Sequence, residues 1–466
     1  MHSWGCAAAG ELGQHGTPHA EHPVRIVLGD GSVPADHMRG VVMLAAGHRH
    51  WAAVRQDGRV LTCGSGYRGQ LGHGDRDDYD RALVVTAGLF GLHTVSLVAC
   101  GRQHTIALTS AGQLYGCGNH QCGQVGVGPV QSQTGGGGVH IDVFTRVHAP
   151  ALGPHRVIFA ACGGYHSLAI TTQGRVLSWG RGLDGRLGLD CQEGHDVFAP
   201  QAVTGGGIMQ SVVVCVAGGG AHSVAVAECG TVFAWGAGGH GQLGLGHTGC
   251  CREPTPLEAR EQFGGCAVRM AVCGDTHSMA ITAGGSLWVW GNSRVWNSGV
   301  SEGRRQRPDR HGELVPRLVP REWFDGDVIT AAAGGQRSGC CTEHGTMYTW
   351  GQATQNEGDR DVQRPMAFSS ILFGGRKVGR THVLPPEFAL ALAMGTHARL
   401  GGGQCAGSRD VMRLGHTGHA CPFADIGGDL LKQIVEACVW QPSRREAGGA
   451  HDGLRRLMAG GLRGYV

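Results

Sequence analysis

The sequence predicts an all-β fold: a seven-bladed β-propeller of four-stranded blades, the last blade closed by strands from both ends of the chain. Three observations carry that prediction. A histidine is followed thirteen residues later by Trp-Gly or Cys-Gly in five places, and a sixth copy has arginine where the histidine stands. A Gly-x-x-Gly begins six residues after each of the first four Trp or Cys positions. Each end of the chain carries half of such a unit. Registers are fixed within a unit while 54 to 62 residues separate successive units, which describes one supersecondary unit repeated with variable loops.

Taken in order, the chain opens on a second half without a first: Ser3-Trp4-Gly5, then Gly10-Glu11-Leu12-Gly13. His50 leads to Cys63-Gly64 and Gly69-Gln70-Leu71-Gly72, and His104 to Cys117-Gly118 and Gly123-Gln124-Val125-Gly126. His166 leads to Trp179-Gly180 and Gly185-Arg186-Leu187-Gly188, and His222 to Trp235-Gly236 and Gly241-Gln242-Leu243-Gly244. His277 leads to Trp290-Gly291, after which Trp296-Asn297-Ser298-Gly299 replaces the glycine pair; Arg337 leads to Trp350-Gly351. The run from Ala391 to His397 is a first half without a second. Pairing the two halves in one blade removes two free sheet edges. The propeller is therefore expected over 1–402, with a split blade from 1–16 plus 389–402. A C-terminal extension, 403–466, is expected to carry a short helix at about 429–440, where apolar residues recur at helical spacing behind Asp429.

Within the fourth repeat the apolar run from Val213 to Ala217 suits a buried strand, and Gly218-Gly219-Gly220 turns the chain. A second strand starts at His222, Cys229-Gly230 turns, and a third strand ends at Trp235-Gly236. Gly241 to Gly246 reads as a glycine-rich hairpin edge. The 84 glycines are then mostly turn punctuation. The repeat tryptophans Trp4, Trp179, Trp235, Trp290 and Trp350 are expected to wedge between neighbouring blades, each hiding about 150–250 Å². Cys63 and Cys117 fill the same slot with less volume, so those contacts should lean on other side chains or pack less well.

Composition excludes several classes. No stretch of 18 apolar residues occurs, so no membrane span is expected. A formal charge of +3 is too small to imply nucleic-acid binding, which is not expected. A repeat is entered at Ser3, leaving no room for a signal peptide; the 18 cysteines then read as reduced thiols, which places the chain in cytoplasm or nucleus. Cys100, Cys162 and Cys273 each precede the equivalent turn glycine, where a small buried side chain fits.

These motifs resemble the repeats of the regulator of chromosome condensation family, which read roughly Gly-x-x-His, then Trp-Gly, then Gly-x-Leu-Gly. The resemblance covers residues 3–16 and about 41–400 and implies a seven-bladed propeller with a terminal latch. Members of the family include a nucleotide-exchange factor for a small GTPase, a UV-B photoreceptor and interaction modules of ubiquitin ligases, so it implies several functions. In the exchange factor, acidic and histidine residues in the turn before the repeat histidine meet the GTPase. The matching pairs here are His48-Arg49, Arg102-Gln103, Gly164-Tyr165, Gly220-Ala221, Asp275-Thr276 and Gly335-Gln336, of which Asp275 alone is acidic. The tryptophan that follows the turn glycine in the photoreceptor's Gly-Trp-Arg-His-Thr motif occurs in none of them, so photoreception is not expected.

No catalytic constellation, cofactor site or metal site is expected. The repeat histidines lie on different blades and so form a wide ring; each is expected to make a local hydrogen bond that fixes its turn. Gly135 to Gly138 lacks the Lys-Ser/Thr ending of a phosphate loop. The segment from Gly126 to Val147 reads as the longest inter-repeat loop. Between Ser301 and Arg321, six arginines face three acids, and Trp296 lies nearby. Arginine with tryptophan is the usual hot-spot pairing, so Trp296, Arg304, Arg305, Arg307 and Arg310 are candidates for partner binding, with Asp275. The expected function is a non-enzymatic protein-interaction scaffold or adaptor. The alternatives are guanine-nucleotide exchange on a small GTPase, or the recruiting module of a ubiquitin ligase; the expected partners are proteins, a small GTPase or a ubiquitin-pathway protein among them.

Overall fold

A computed structural model of the protein describes residues 41–351 apart from 88–93, 131–137, 154, 190–193, 258–261 and 293–311, together with 2–6, 10, 13, 19–25 and 362–367. These residues form six four-stranded antiparallel sheets in chain order, over 41–84, 95–146, 157–202, 213–257, 268–318 and 328–367, here blades 1 to 6. Each blade runs from an inner strand outwards, and the inner strands of successive blades are neighbours around a common axis. A two-stranded sheet, His2–Cys6 paired with His19–Arg25, accompanies them. Short helical pieces among the described residues include single 3-10 turns such as Ile208–Gln210.

The count departs from the expected seven. The N-terminal half-repeat nonetheless docks on blade 1. Gly10 lies against Asp80 of the outer strand Tyr79–Val84, just as Gly69, Gly123, Gly185 and Gly241 lie against the outer strands of the blades that follow them. Gly13 N donates to Gly10 O at 2.9 Å, the turn that Gly126 to Gly123 and Gly244 to Gly241 also make at 2.9 Å. The second N-terminal strand falls at His19–Arg25, beyond the expected limit of 16. The completing half expected at 389–402, the extension 403–466 and its helix lie outside the described residues.

Blade 4 shows how the sequence makes a blade. Its strands are Val213–Gly218, His222–Ala227, Val232–Gly236 and Cys251–Leu257, the first three almost wholly buried. The register pairs His222 with Gly236 and Ser223 with Trp235. Gly236 sits at φ +103°, and a Cβ there would stand 2.6 Å from Ala221 O, so the Gly of Trp-Gly is a steric requirement. A Cβ on Gly219 would meet the His222 ring at 2.1 Å, which explains the turn glycine ahead of the repeat histidine.

The expected hairpin edge at Gly241 to Gly246 is instead a turn-rich link, and the outer strand comes from the variable stretch after it. For the same reason the supposed loop from Gly126 to Val147 contains blade 2's outer strand, His140–Arg146. Outer strands such as Cys251–Leu257 are half-exposed, and those of blades 3 to 6 contain prolines, so they lack the apolar signature of inner strands. The cores lie between blades, with Val98, Ile106, Leu168 and Ile170 buried.

Candidate protein-interaction face

The repeat motif's first role is to bolt blade to blade. His50 Nε2 lies 2.9 Å from Thr105 Oγ1, His104 Nε2 2.9 Å from Ser167 Oγ and His166 Nε2 2.8 Å from Ser223 Oγ. His222 and His277 repeat the contact with Ser278 and Ser338, each at 2.8 Å. Four of these hydroxyls donate to the carbonyl at the second position of the preceding Gly-x-x-Gly: Thr105 to Gln70, Ser167 to Gln124, Ser223 to Arg186 and Ser278 to Gln242, each at 2.8 Å. A hydroxyl has one proton, so each of these four must accept from its histidine's Nε2–H. The same carbonyls accept the next blade's indole: Trp179 Nε1 to Gln124 O at 3.0 Å, Trp235 to Arg186 O at 2.9 Å and Trp290 to Gln242 O at 2.8 Å.

The histidines therefore join neighbouring blades, a longer reach than the local bond expected of them. Burial, with His277 and Arg186 nearby, holds His222 down to about 3, so it stays neutral in the folded protein. Trp179, Trp235, Trp290 and Trp350 are buried. Trp4 lies in the strand His2–Cys6. Cys100, Cys162 and Cys273 are buried free thiols, raised mainly by burial; Cys341 departs from the expectation of reduced thiols and is disulfide-bonded.

One end of the blades carries the repeat turns and links. The turns before the repeat histidines and the links after Trp-Gly or Cys-Gly fall at the same end of each blade, because the register sets His104 opposite Gly118 and His166 opposite Gly180. On this face blades 1, 2 and 3 enclose an open cavity of about 490 Å³, lined by Arg68, Gln103, Asn119, Tyr165, Arg181 and Asp196 among others. Its polar wall is ordered: Asn119 Nδ2 donates to Gln103 Oε1 at 2.9 Å, and Gln103 Nε2 donates to the Tyr67 hydroxyl.

Three guanidiniums stack on two tyrosines. Arg68 stands 5.1 Å from the Tyr67 ring centroid, and Arg102 and Arg181 stand 5.8 and 5.7 Å from that of Tyr165. Arg68 also donates to His140 Nε2 at 3.1 Å; burial first, then Arg68 and Arg76, lowers His140 and keeps it an acceptor. Tyr67 and Leu183 are 43% and 44% exposed, so the cavity has aromatic and apolar shoulders.

Of the expected partner-binding residues, Asp275 lies half-buried in the blade 5 turn on this face, its N–H donating to Gly335 O at 2.9 Å. Trp296, Arg304, Arg305, Arg307 and Arg310 lie outside the described residues. Two further arginines of that stretch are tied down: Arg317 pairs with Glu313 at 2.7 Å on the outer strand Glu313–Leu318, and Arg321 pairs with Asp327. The Tyr-Arg cluster was not anticipated. Its signal is present in the sequence, since Arg102 and Tyr165 occupy the turn positions equivalent to Asp275 and Thr276, but it shows only as arginine beside tyrosine across two blades and not as acidity.

Successive antiparallel blades bolted through repeat histidines, with the repeat turns and the Gly-x-x-Gly links at one end, define a propeller. The chain belongs to the RCC1-like domain family, whose model matches residues 1–383. It is 33% identical to the Ultraviolet-B receptor UVR8 of Arabidopsis thaliana, over 67% of this chain and 65% of that protein. To the human probable E3 ubiquitin-protein ligase HERC6 it is 30% identical, over 70% of this chain and 29% of that one. The chain thus spans less than two thirds of either relative. Among solved structures it superposes on yeast RCC1 (Prp20), bound there to Kap60, with a TM-score of 0.67 at 18% identity, covering 90% of this chain and 92% of that one. At that identity the likeness shows the fold.

Proposed function

We propose that this chain is a non-enzymatic interaction scaffold or adaptor that holds protein partners on its loop face. One observation carries the reading: the Tyr-Arg cluster around a cavity shared by three blades. Tyrosine and arginine dominate binding hot spots, and a site built by three blades exists only in the assembled ring. Affinity capture with the full chain, followed by mass spectrometry, tests it. Partners that bind wild type and are lost when Tyr67 and Tyr165 are replaced by alanine support it; an identical partner list from the two proteins counts against this face.

HERC6, described as a probable ubiquitin ligase, is similar over its 29%, which supports recruitment within a larger assembly as a second form of the same reading. Guanine-nucleotide exchange on a small GTPase rests on Asp275, and nucleotide release across a panel of small GTPases tests it: acceleration abolished by Asp275→Ala favours exchange. We further infer a seventh blade, completed by 389–402 beside the N-terminal strands, which the docking of Gly10 on blade 1 supports. Placement in cytoplasm or nucleus belongs to the same reading; the twelve described free cysteines support it and the Cys341 disulfide argues against it.

A further inference from the structure

We infer that the cavity between blades 1, 2 and 3 takes an extended acidic segment of a partner protein, its carboxylates bound by Arg68, Arg102 and Arg181. This rests on the interaction-scaffold reading and names the chemistry of the partner. Among the described residues none of the three arginines forms an ion pair with a carboxylate, although Arg55, Arg76, Arg81, Arg186, Arg317 and Arg321 all do. Stacking on Tyr67 and Tyr165 fixes the planes of the guanidiniums while leaving their N–H edges for a ligand, the geometry that favours bidentate carboxylate binding. Arg68 Nε is buried with no hydrogen-bond partner.

Among the described residues the one acid that lines the cavity is already engaged: Asp196 Oδ1 accepts from Gly182 N at 3.1 Å. The other polar wall groups are neutral amides, Gln103, Asn119 and Gln121, suited to the peptide backbone between carboxylates. A nucleic acid fits less well. Asp75, Asp77 and Asp78 follow Arg68 in the same link, and Asp184 follows Leu183, so a continuous phosphate chain would meet like charge on both sides.

The test is fluorescence anisotropy of the full chain with a fluorescein-labelled octaglutamate peptide. A matched octaglutamine peptide and a single-stranded oligonucleotide serve as controls. The expected result is octaglutamate binding that weakens with salt and falls at least about tenfold in Arg68→Gln/Arg102→Gln/Arg181→Gln, with octaglutamine not bound. The triple Arg→Lys variant keeps the charge and loses the planar fork, so it should fall between wild type and the glutamine variant. Should the glutamine variant melt early, Arg102→Gln alone, at an exposed turn, is expected to weaken octaglutamate binding several-fold. Equal affinity of wild type and the variants, equal binding of octaglutamine, or tighter binding of the oligonucleotide each overturns the inference. Partners still captured by the triple variant would remove this site and leave the scaffold reading standing. A chain that captures no partner yet binds octaglutamate would do the reverse.

Discussion

Between blades 2 and 3, 3 and 4, and 4 and 5, an indole fills the space over a Gly-x-x-Gly glycine: Trp179 over Gly126, Trp235 over Gly188 and Trp290 over Gly244. Between blades 1 and 2 the same space, over Gly72, is taken by the Phe144 ring from the outer strand, with Cys117 Sγ behind it. Cys117 still points a thiol at Gln70 O, at 3.5 Å, where the indoles donate at 2.8–3.0 Å. Blade 1 uses a third arrangement: Trp51, 1% exposed, replaces the serine or threonine of the second strand and stands directly across from Cys63. Volume at each junction is kept while the strand that supplies it changes. A repeat motif is thus one solution to a packing constraint, and the constraint outlives the motif.

The largest expected effects test that equivalence. Trp235→Ala and Phe144→Ala should each destabilise by about 3–5 kcal/mol, read by denaturant melting, because each empties a fully buried junction. If Phe144→Ala costs less than about 1 kcal/mol, Phe144 is not the counterpart of the indoles. The sharper form is a double variant. Cys117→Trp alone should overpack the junction by about 1–3 kcal/mol, and Cys117→Trp with Phe144→Ala should recover part of both losses. Simple additivity would break the comparison.

Acid comes next. His222 is held near 3 in the folded protein against 6.5 for the free side chain, so between these values the unfolded chain binds the extra proton. Stability is complete above about pH 6.5 and falls as pH drops towards 3, by up to about 1.4 kcal/mol per unit from this one group. Denaturation midpoints at successive pH values should show the slope, and His222→Gln should reduce it. A slope unchanged in that variant would assign it to other groups.

How much of this was legible follows from where the signal resides. The His-to-Trp register, the buried first three strands and the turn glycines come from short-range constraints, a cross-strand pair such as Ser223 with Trp235 and a clash such as Gly236 with Ala221 O, so a single sequence displays them. The outer strands escape, because Cys251–Leu257 is half-exposed and proline-bearing and has no periodicity to read. The histidine bond also escaped, since its hydroxyl partner lies 55 to 63 residues away on another blade. Phe144 was invisible for the same reason: its role depends on Gly72 and Cys117, which only folding brings to it. The Tyr-Arg cavity draws on three repeats at once. It becomes apparent only when turn positions are compared across blades for chemistry and not for identity to a motif.

The smallest effect concerns the hydroxyl shared by all junctions but the one at Trp51. Ser223 Oγ receives His166 and donates to Arg186 O, which Trp235 also uses. Ser223→Ala leaves the buried His166 Nε2–H without its acceptor while Arg186 O keeps the indole, so the expected loss is about 1–3 kcal/mol. Thr105→Ala at the blade 1–2 junction removes the same relay where only the weaker thiol contact of Cys117 remains on Gln70 O. It should therefore cost at least as much as Ser223→Ala. If Thr105→Ala proves harmless while Ser223→Ala does not, then Phe144 alone secures the first junction and the histidine relay there is spare.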